Sequence, residues 1–269
     1  MCRRKVRDYL TMLFGNKFKI CELFGIPVYL DISTAILLIF FIGMTGSVAL
    51  DLAAMVLLLA SIVLHELGHS LTARAFGCRT RDITLMLIGG CASLERLPYK
   101  AWQELLTAAA GPAVSFSLGV LCYIAAHLCR RIEFFAAALL IAAIMNITLG
   151  AFNLLPGFPM DGGRIFRSVA RAFTSRAKAT WLAMIVGRVA AGLLVFGPML
   201  GIDHIWIIPL GGSIFMRLLI AWMIWKEGWR EYQTALVEEQ WGSRWDYSAR
   251  VSPPPYGGDE DETEIRRGR

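Results

Sequence analysis

The sequence predicts an all-α polytopic membrane protein with about six transmembrane helices and a small membrane-associated β-hairpin. Three observations predict it. The chain of 269 residues is 56% hydrophobic with a mean hydropathy of +0.55, which excludes an ordinary soluble domain and a disordered chain. Its apolar runs reach the roughly 20 residues that a helix needs to cross a bilayer core. Its Lys and Arg residues gather in alternate connections between those runs.

The candidate spans are residues 32–50, 52–73, 105–129, a stretch within 134–155, 179–202 and 205–225. Glu66 is the only formal charge in the second, Arg188 interrupts the fifth and Arg217 the sixth. Both arginines fall in the leaflet of the metal motif described below. There they either line a wet cavity or snorkel to lipid phosphates. Basic residues crowd the N-terminal segment, the connection after the second span (Arg74, Arg79, Arg81, Arg96, Lys100) and that after the fourth (Arg164, Arg167, Arg171, Arg176, Lys178). Positive connections favour the cytoplasmic side, so both termini are expected there. The net charge of +6 is therefore read as topology and not as a nucleic-acid footprint. The expected organisation is a cytoplasmic lead-in at 1–30, a six-span core at 31–226 and a partly disordered cytoplasmic tail at 227–269, in the cell membrane. No cleavable signal peptide is expected. The six cysteines form no CxxC pair and are read as packing residues.

Each element has a local reason. Phe24-Gly25-Ile26-Pro27-Val28-Tyr29 is expected to approach the bilayer in extended form, because Pro27 disfavours helix just before it. The glycine pair Gly89-Gly90, between two β-capable runs, predicts a hairpin beside or dipping into the membrane. Such backbone is tolerated at membrane depth where protein shields it or it lines a wet cavity. The third span starts near Ala108-Ala109-Ala110-Gly111-Pro112, where small residues permit close helix approach. The fourth ends in Asn153-Leu154-Leu155-Pro156-Gly157-Phe158-Pro159-Met160-Asp161-Gly162-Gly163-Arg164, whose prolines and glycines break the helix. Residues 227–241 could form an amphipathic surface helix.

The second span contains His65-Glu66-Leu67-Gly68-His69. A charge at the bilayer centre costs roughly 2.5–3.5 kcal/mol on insertion scales, so Glu66 points to function. Histidines at i and i+4 share a helix face and can reach one ion, and Glu66 is placed to act on water there, the HExxH arrangement of zinc hydrolases. A catalytic zinc takes three protein ligands. Of the four histidines, His127 and His204 fall at the wrong depth, which leaves a carboxylate or thiolate as the third ligand. His65 precedes the basic end of its span by roughly 12 Å at 1.5 Å per residue. The fourth span runs in the same direction, and its broken end carries Asp161 into the same leaflet. Asp161 also suits an N-cap of the segment after it, and the two roles can share one residue.

These residues resemble the site-2 protease family, the intramembrane zinc metalloproteases of peptidase family M50. His65-Glu66-Leu67-Gly68-His69 matches its zinc motif, and the segment from Asn153 to Arg164 is similar to its NxxPxPxxDG motif. Ala109-Ala110-Gly111-Pro112 resembles its small-Gly-Pro step, and Phe24-Gly25-Ile26-Pro27-Val28 its N-terminal approach. Met160 stands where leucine is common. The stretch between Gly111 and Asn153 is too short for a PDZ domain, so the similarity is to the minimal six-span, sporulation-type form.

The resemblance implies one Zn2+ per chain on His65, His69 and Asp161, with Glu66 as catalytic base. It implies cleavage of transmembrane or membrane-proximal segments of membrane-bound substrates, in regulated proteolysis. Asn153 is the candidate oxyanion donor. The hairpin at Gly89 and Gly90 either pairs with an unwound substrate strand or anchors at the membrane surface. The partners implied are the lipid bilayer and a substrate with a transmembrane helix. A homo-oligomer or a regulatory membrane partner is compatible with this, and nucleic acid is not. The competing classes are a catalytically silent relative that binds membrane segments and a metal transporter. A transporter would repeat polar residues through several spans, and a silent relative would have lost Glu66.

Overall fold

The computed structural model describes residues 17–32, 34, 42–43, 45–86, 89–95, 100–200 and 214–248. The chain opens with β1 (Lys17–Leu23) and β2 (Ile26–Asp31), followed by helix α1 (Val48–Ala75). Strands β3 (Thr80–Met86) and β4 (Gly89–Leu94) lead into α2 (Ala101–Leu128) and α3 (Glu133–Asn153). A short helix α4 (Asp161–Ala170) precedes α5 (Arg176–Phe196), a 3-10 turn (Gly197–Leu200) and the long α6 (Ile214–Ser248).

Among the described residues, four helices are long and apolar enough to cross a membrane: Val48–Ala75, Ala101–Leu128, Glu133–Asn153 and Arg176–Met199. Val56, Leu121, Ile144 and Val189 are exposed on their outer faces. Apolar residues thus lie outside as well as inside, as expected of helices bathed in lipid. Nearly half of the first expected span (32–50) and of the sixth (205–225), with His204, residues 1–16 and the tail from 249 onward, lie outside the described residues. The expected break between the first and second spans is displaced. Asp51 belongs to the first turn of α1 and is buried, and its carboxylate accepts the Gly43 N–H at 2.7 Å and the Thr45 N–H at 3.0 Å. The acidic residue ties down the loop before the helix, so it sits inside the helix and not between two. The expected surface helix at 227–241 is the continuation of α6.

The sheet is larger than the predicted hairpin. Its order is β1-β2-β3-β4. β1 and β2 are antiparallel, as are β3 and β4, while β2 and β3 run parallel with α1 as the crossover between them. The hairpin at 80–94 is present, and its register pairs Met86 with Gly89, so the glycines open the second strand. The lead-in is a strand pair where a single extended approach was expected. Gly77 lets the chain turn from α1 into β3. Its φ is +78°, its N–H reaches the Arg74 carbonyl at 2.9 Å, and the Cys78 N–H reaches that of Ala73 at 3.0 Å. This is a Schellman ending, which favours glycine because φ is positive there.

Helix α1 works through two faces. Leu67, with Val63 and Leu71, packs on Ile26, Val28 and Ile83 of the sheet. Burying each such side chain is worth about 1.5–3 kcal/mol where water is the alternative. Residues 61, 65 and 69 lie on the opposite face, turned toward α2 and α3. A second core joins Met160, just before α4, to Ala191 and Leu194 of α5 and Ile220 and Ile224 of α6.

Candidate metal centre

The two faces of α1 place the histidines in the helix bundle. His65 and His69 are buried one helical turn apart, and Asp161, the first residue of α4, is buried opposite them. The Asp161 Oδ2 atom lies 3.2 Å from His65 Nε2 and 3.1 Å from His69 Nε2, and the two Nε2 atoms are 3.1 Å apart. The far side of each ring is held by α2. His69 Nδ1–H donates to the Thr107 carbonyl at 2.7 Å, and His65 Nδ1 lies 2.9 Å from the Ser115 hydroxyl. With its proton on Nδ1, His69 turns a lone pair toward the triangle.

This donor set fits a metal ion. A carboxylate oxygen and imidazole lone pairs repel one another at such separations unless positive charge sits among them. A tetrahedral ion with bonds of about 2.0–2.2 Å would space its ligands roughly 3.3–3.6 Å apart, close to the triangle present. Among the described residues, this is the one group of three or more such side chains that could hold an ion. Gly111 of α2 makes room for it. A Cβ there would overlap the His69 ring and stand 2.7 Å from His65 Nε2. The Gly-Pro step was expected to bring helices together, and its glycine also clears space for the imidazole pair.

Glu66 is not part of the triangle, and the sheet holds it. Its Oε2 accepts the Ala92 backbone N–H of β4 at 3.1 Å. Gly90 lies against the same side chain, and a Cβ on it would come within 2.5 Å of Glu66 Cγ. Gly89, at the start of β4, pairs with Met86. Asn153 is turned back on its own helix, its amide donating to the Leu149 carbonyl at 3.0 Å. Asp161 is the first residue of α4, and the cap position belongs to Met160.

Three features escaped the sequence reading. Thr107 and Ser115 orient the histidines, and Ala92 holds Glu66. A third is an ion cluster beside the triangle. Arg167 of α4 bonds Glu104 of α2 through Nε at 2.9 Å and again through Nη2, and it reaches Glu231 of α6 at 2.8 Å. Arg171 reaches the second Glu104 oxygen at 3.0 Å. Burial opposes the charge on Arg167, but the Glu104 and Glu231 carboxylates outweigh it and hold the guanidinium above its ordinary value. A signal for these residues was present. Glu104, Thr107, Gly111 and Ser115 follow one another at i, i+3, i+7 and i+11, a polar and small stripe on one face of an apolar helix. Arg188 packs against aromatic rings. Its guanidinium carbon stands 4.1 Å from the centre of the Trp225 ring and 5.9 Å from that of Trp229, in the seam between α5 and α6.

Comparisons with known proteins place the chain in a family. The model of Peptidase family M50 matches residues 53–138 and 127–197. The sll0528 protein of Synechocystis sp. is 35% identical over 241 residues, which cover 84% of this chain and 62% of that protein. Zinc metalloprotease MJ0392 of Methanocaldococcus jannaschii is 35% identical over 182 residues, 66% of this chain and 53% of that one. The chain thus spans little more than half the length of these curated relatives. The solved site-2 protease from Methanocaldococcus jannaschii superimposes with a TM-score of 0.56 at 30% identity, over 81% of this chain and 95% of that one. The family match covers most of α1, with both histidines, as well as α2, α3, α4 with Asp161 and all of α5, and it joins the four apolar helices in one conclusion: the chain is a membrane protein belonging to peptidase family M50.

Proposed function

We propose that this protein is a zinc-dependent intramembrane endopeptidase that cleaves transmembrane or membrane-proximal segments of membrane-bound substrates. One observation carries the reading: two imidazole nitrogens and the Asp161 carboxylate form a buried triangle of 3.1–3.2 Å sides on apolar helices, with Glu66 next in sequence to one of the imidazoles. The names of the relatives support zinc as the ion. Zinc on His65, His69 and Asp161, one per chain, would supply Lewis acidity, polarising the scissile carbonyl and bringing the pKa of water toward about 7.

The chain's own residues supply the rest. Glu66 takes the proton from the attacking water and returns it to the leaving amine. The Thr107 carbonyl keeps His69 in the tautomer that leaves Nε2 free. A helical substrate must unwind before its carbonyl can react, because its backbone groups are otherwise bonded to one another. Strand β4 ends the sheet and passes beside Glu66, so an unwound segment pairing with its outer edge near Gly89 and Gly90 would lie next to the base. An oxyanion role for Asn153 requires its amide to leave the Leu149 carbonyl. In this reading residues 31–226 form a six-span core, both termini are cytoplasmic, and cleavage serves regulated proteolysis.

The test is co-expression with candidate single-span substrates, comparing the wild type with Glu66→Gln. Product from the wild type alone is expected, and equal product from both would contradict the assignment.

A further inference from the structure

Asp161 reaches the histidines only if α4 is held in place; α4 lies against α2 and α5 with its two glycines close to the backbone of 154–158, yet it carries few buried apolar side chains to fix its direction. It is ten residues long, and its buried residues are Asp161, Gly162, Gly163, Arg167 and Ser168. Ile165 and Phe166 are only partly buried and Val169 is exposed. The one large buried side chain on α4 is that of Arg167, which is 1% exposed and lies roughly 9 Å along the helix axis from Asp161. Its guanidinium sits 5.0 Å from the centre of the Phe158 ring, in the segment that leads into α4.

The partners of Arg167 connect it to the histidines by a second route. Glu104 stands one turn before Thr107, the residue that orients His69, and two turns before Gly111, which clears space for both rings. The α2 face that sets the imidazoles is therefore also the face that grips α4. Glu231 adds an attachment from α6, far from the metal motif in sequence. Arg171 closes the second oxygen of Glu104.

We propose that Arg167 is a positioning residue for the metal centre: by locking α4 between Glu104 of α2 and Glu231 of α6, it fixes the Asp161 carboxylate against the histidine pair. This rests on the metal-centre reading above, and it couples the C-terminal helix to that centre. An ion cluster suits the task better than apolar packing would. The planar guanidinium engages one Glu104 oxygen through two nitrogens and Glu231 through the third, which fixes direction as well as distance, whereas apolar contacts tolerate sliding. A purely structural cluster would hold the bundle together without affecting how tightly the folded protein keeps its ion.

The experiment uses the full chain in detergent or nanodiscs and measures zinc affinity by chelator competition, beside thermal unfolding of the zinc-free protein. Groups that orient metal ligands typically contribute roughly 10–100-fold in affinity, and Arg167→Leu and Glu104→Gln are expected to weaken zinc binding by about tenfold or more. Zinc affinity within about twofold of wild type in the folded variants, whatever their unfolding temperature, would overturn the proposal. Should both variants fail to accumulate, Glu231→Gln, altered at the partly exposed end of the cluster, decides it. An affinity about threefold weaker supports the proposal, and an unchanged affinity overturns it. Wild-type protein that binds no zinc would instead contradict the proposed function. That outcome is distinct from wild type and variants binding zinc equally.

Discussion

Glu66 and Ala92 are joined by a 3.1 Å hydrogen bond from the backbone of β4 to the carboxylate, so the acidic residue of the HExxH motif is tied to the sheet and is not one of the three residues of the triangle. This separates its role from ligation. Replacing Glu66 with Gln preserves shape and removes the proposed base. Loss of general base catalysis is expected to slow cleavage by about 10²–10⁴-fold while zinc content stays at the wild-type level. Cleavage rate and zinc analysis on the same preparation check both halves.

Gly111→Ala is expected to damage the centre itself. The added methyl would overlap the His69 ring and crowd His65, so either the rings leave the triangle or α2 moves away from α1. Overpacking of this kind costs about 1–3 kcal/mol. The expected outcome is lower thermal stability together with loss of bound zinc, read by calorimetry and elemental analysis.

Ser115→Ala is expected to be milder and more specific. The hydroxyl meets the far nitrogen of His65, and its loss removes one atom from the contact of α1 with α2. Zinc affinity is expected to fall by roughly 10–100-fold, with a stability change in the zinc-free protein below about 1 kcal/mol. Chelator competition and thermal unfolding measure the two.

Arg188→Leu separates packing from chemistry. The guanidinium lies over Trp225 in the α5–α6 seam. A desolvated cation–aromatic contact is worth about 2 kcal/mol. Stability is expected to drop by about that amount, with cleavage per folded molecule and zinc content unchanged. A fall in cleavage at constant abundance would restore a substrate-contacting role.

The parts legible in the sequence were those whose spacing is local or whose cost in lipid is high. His65 and His69 share a face at i, i+4, and Asp161 followed from the common direction of two spans. The β3–β4 hairpin was legible because its strands are adjacent in sequence. The full sheet was not, because β2 and β3 pair in parallel across the whole of α1, and no local pattern encodes that register. Arg167 was counted among the charges that orient the chain in the membrane. Only the folded packing of α2, α4 and α6 shows it to be buried against Glu104 and Glu231. Glu104 lies one residue before the predicted third span at 105–129, and it belongs to the first turn of α2.

Zinc stoichiometry of the purified wild type, beside that of Asp161→Ala, tests the central claim most directly. About one zinc per wild-type chain is predicted, with binding lost when the third ligand of the tetrahedral site is removed. Wild-type protein that cleaves its substrate with no transition metal bound, or an Asp161→Ala variant that holds zinc as tightly as the wild type, would contradict the account.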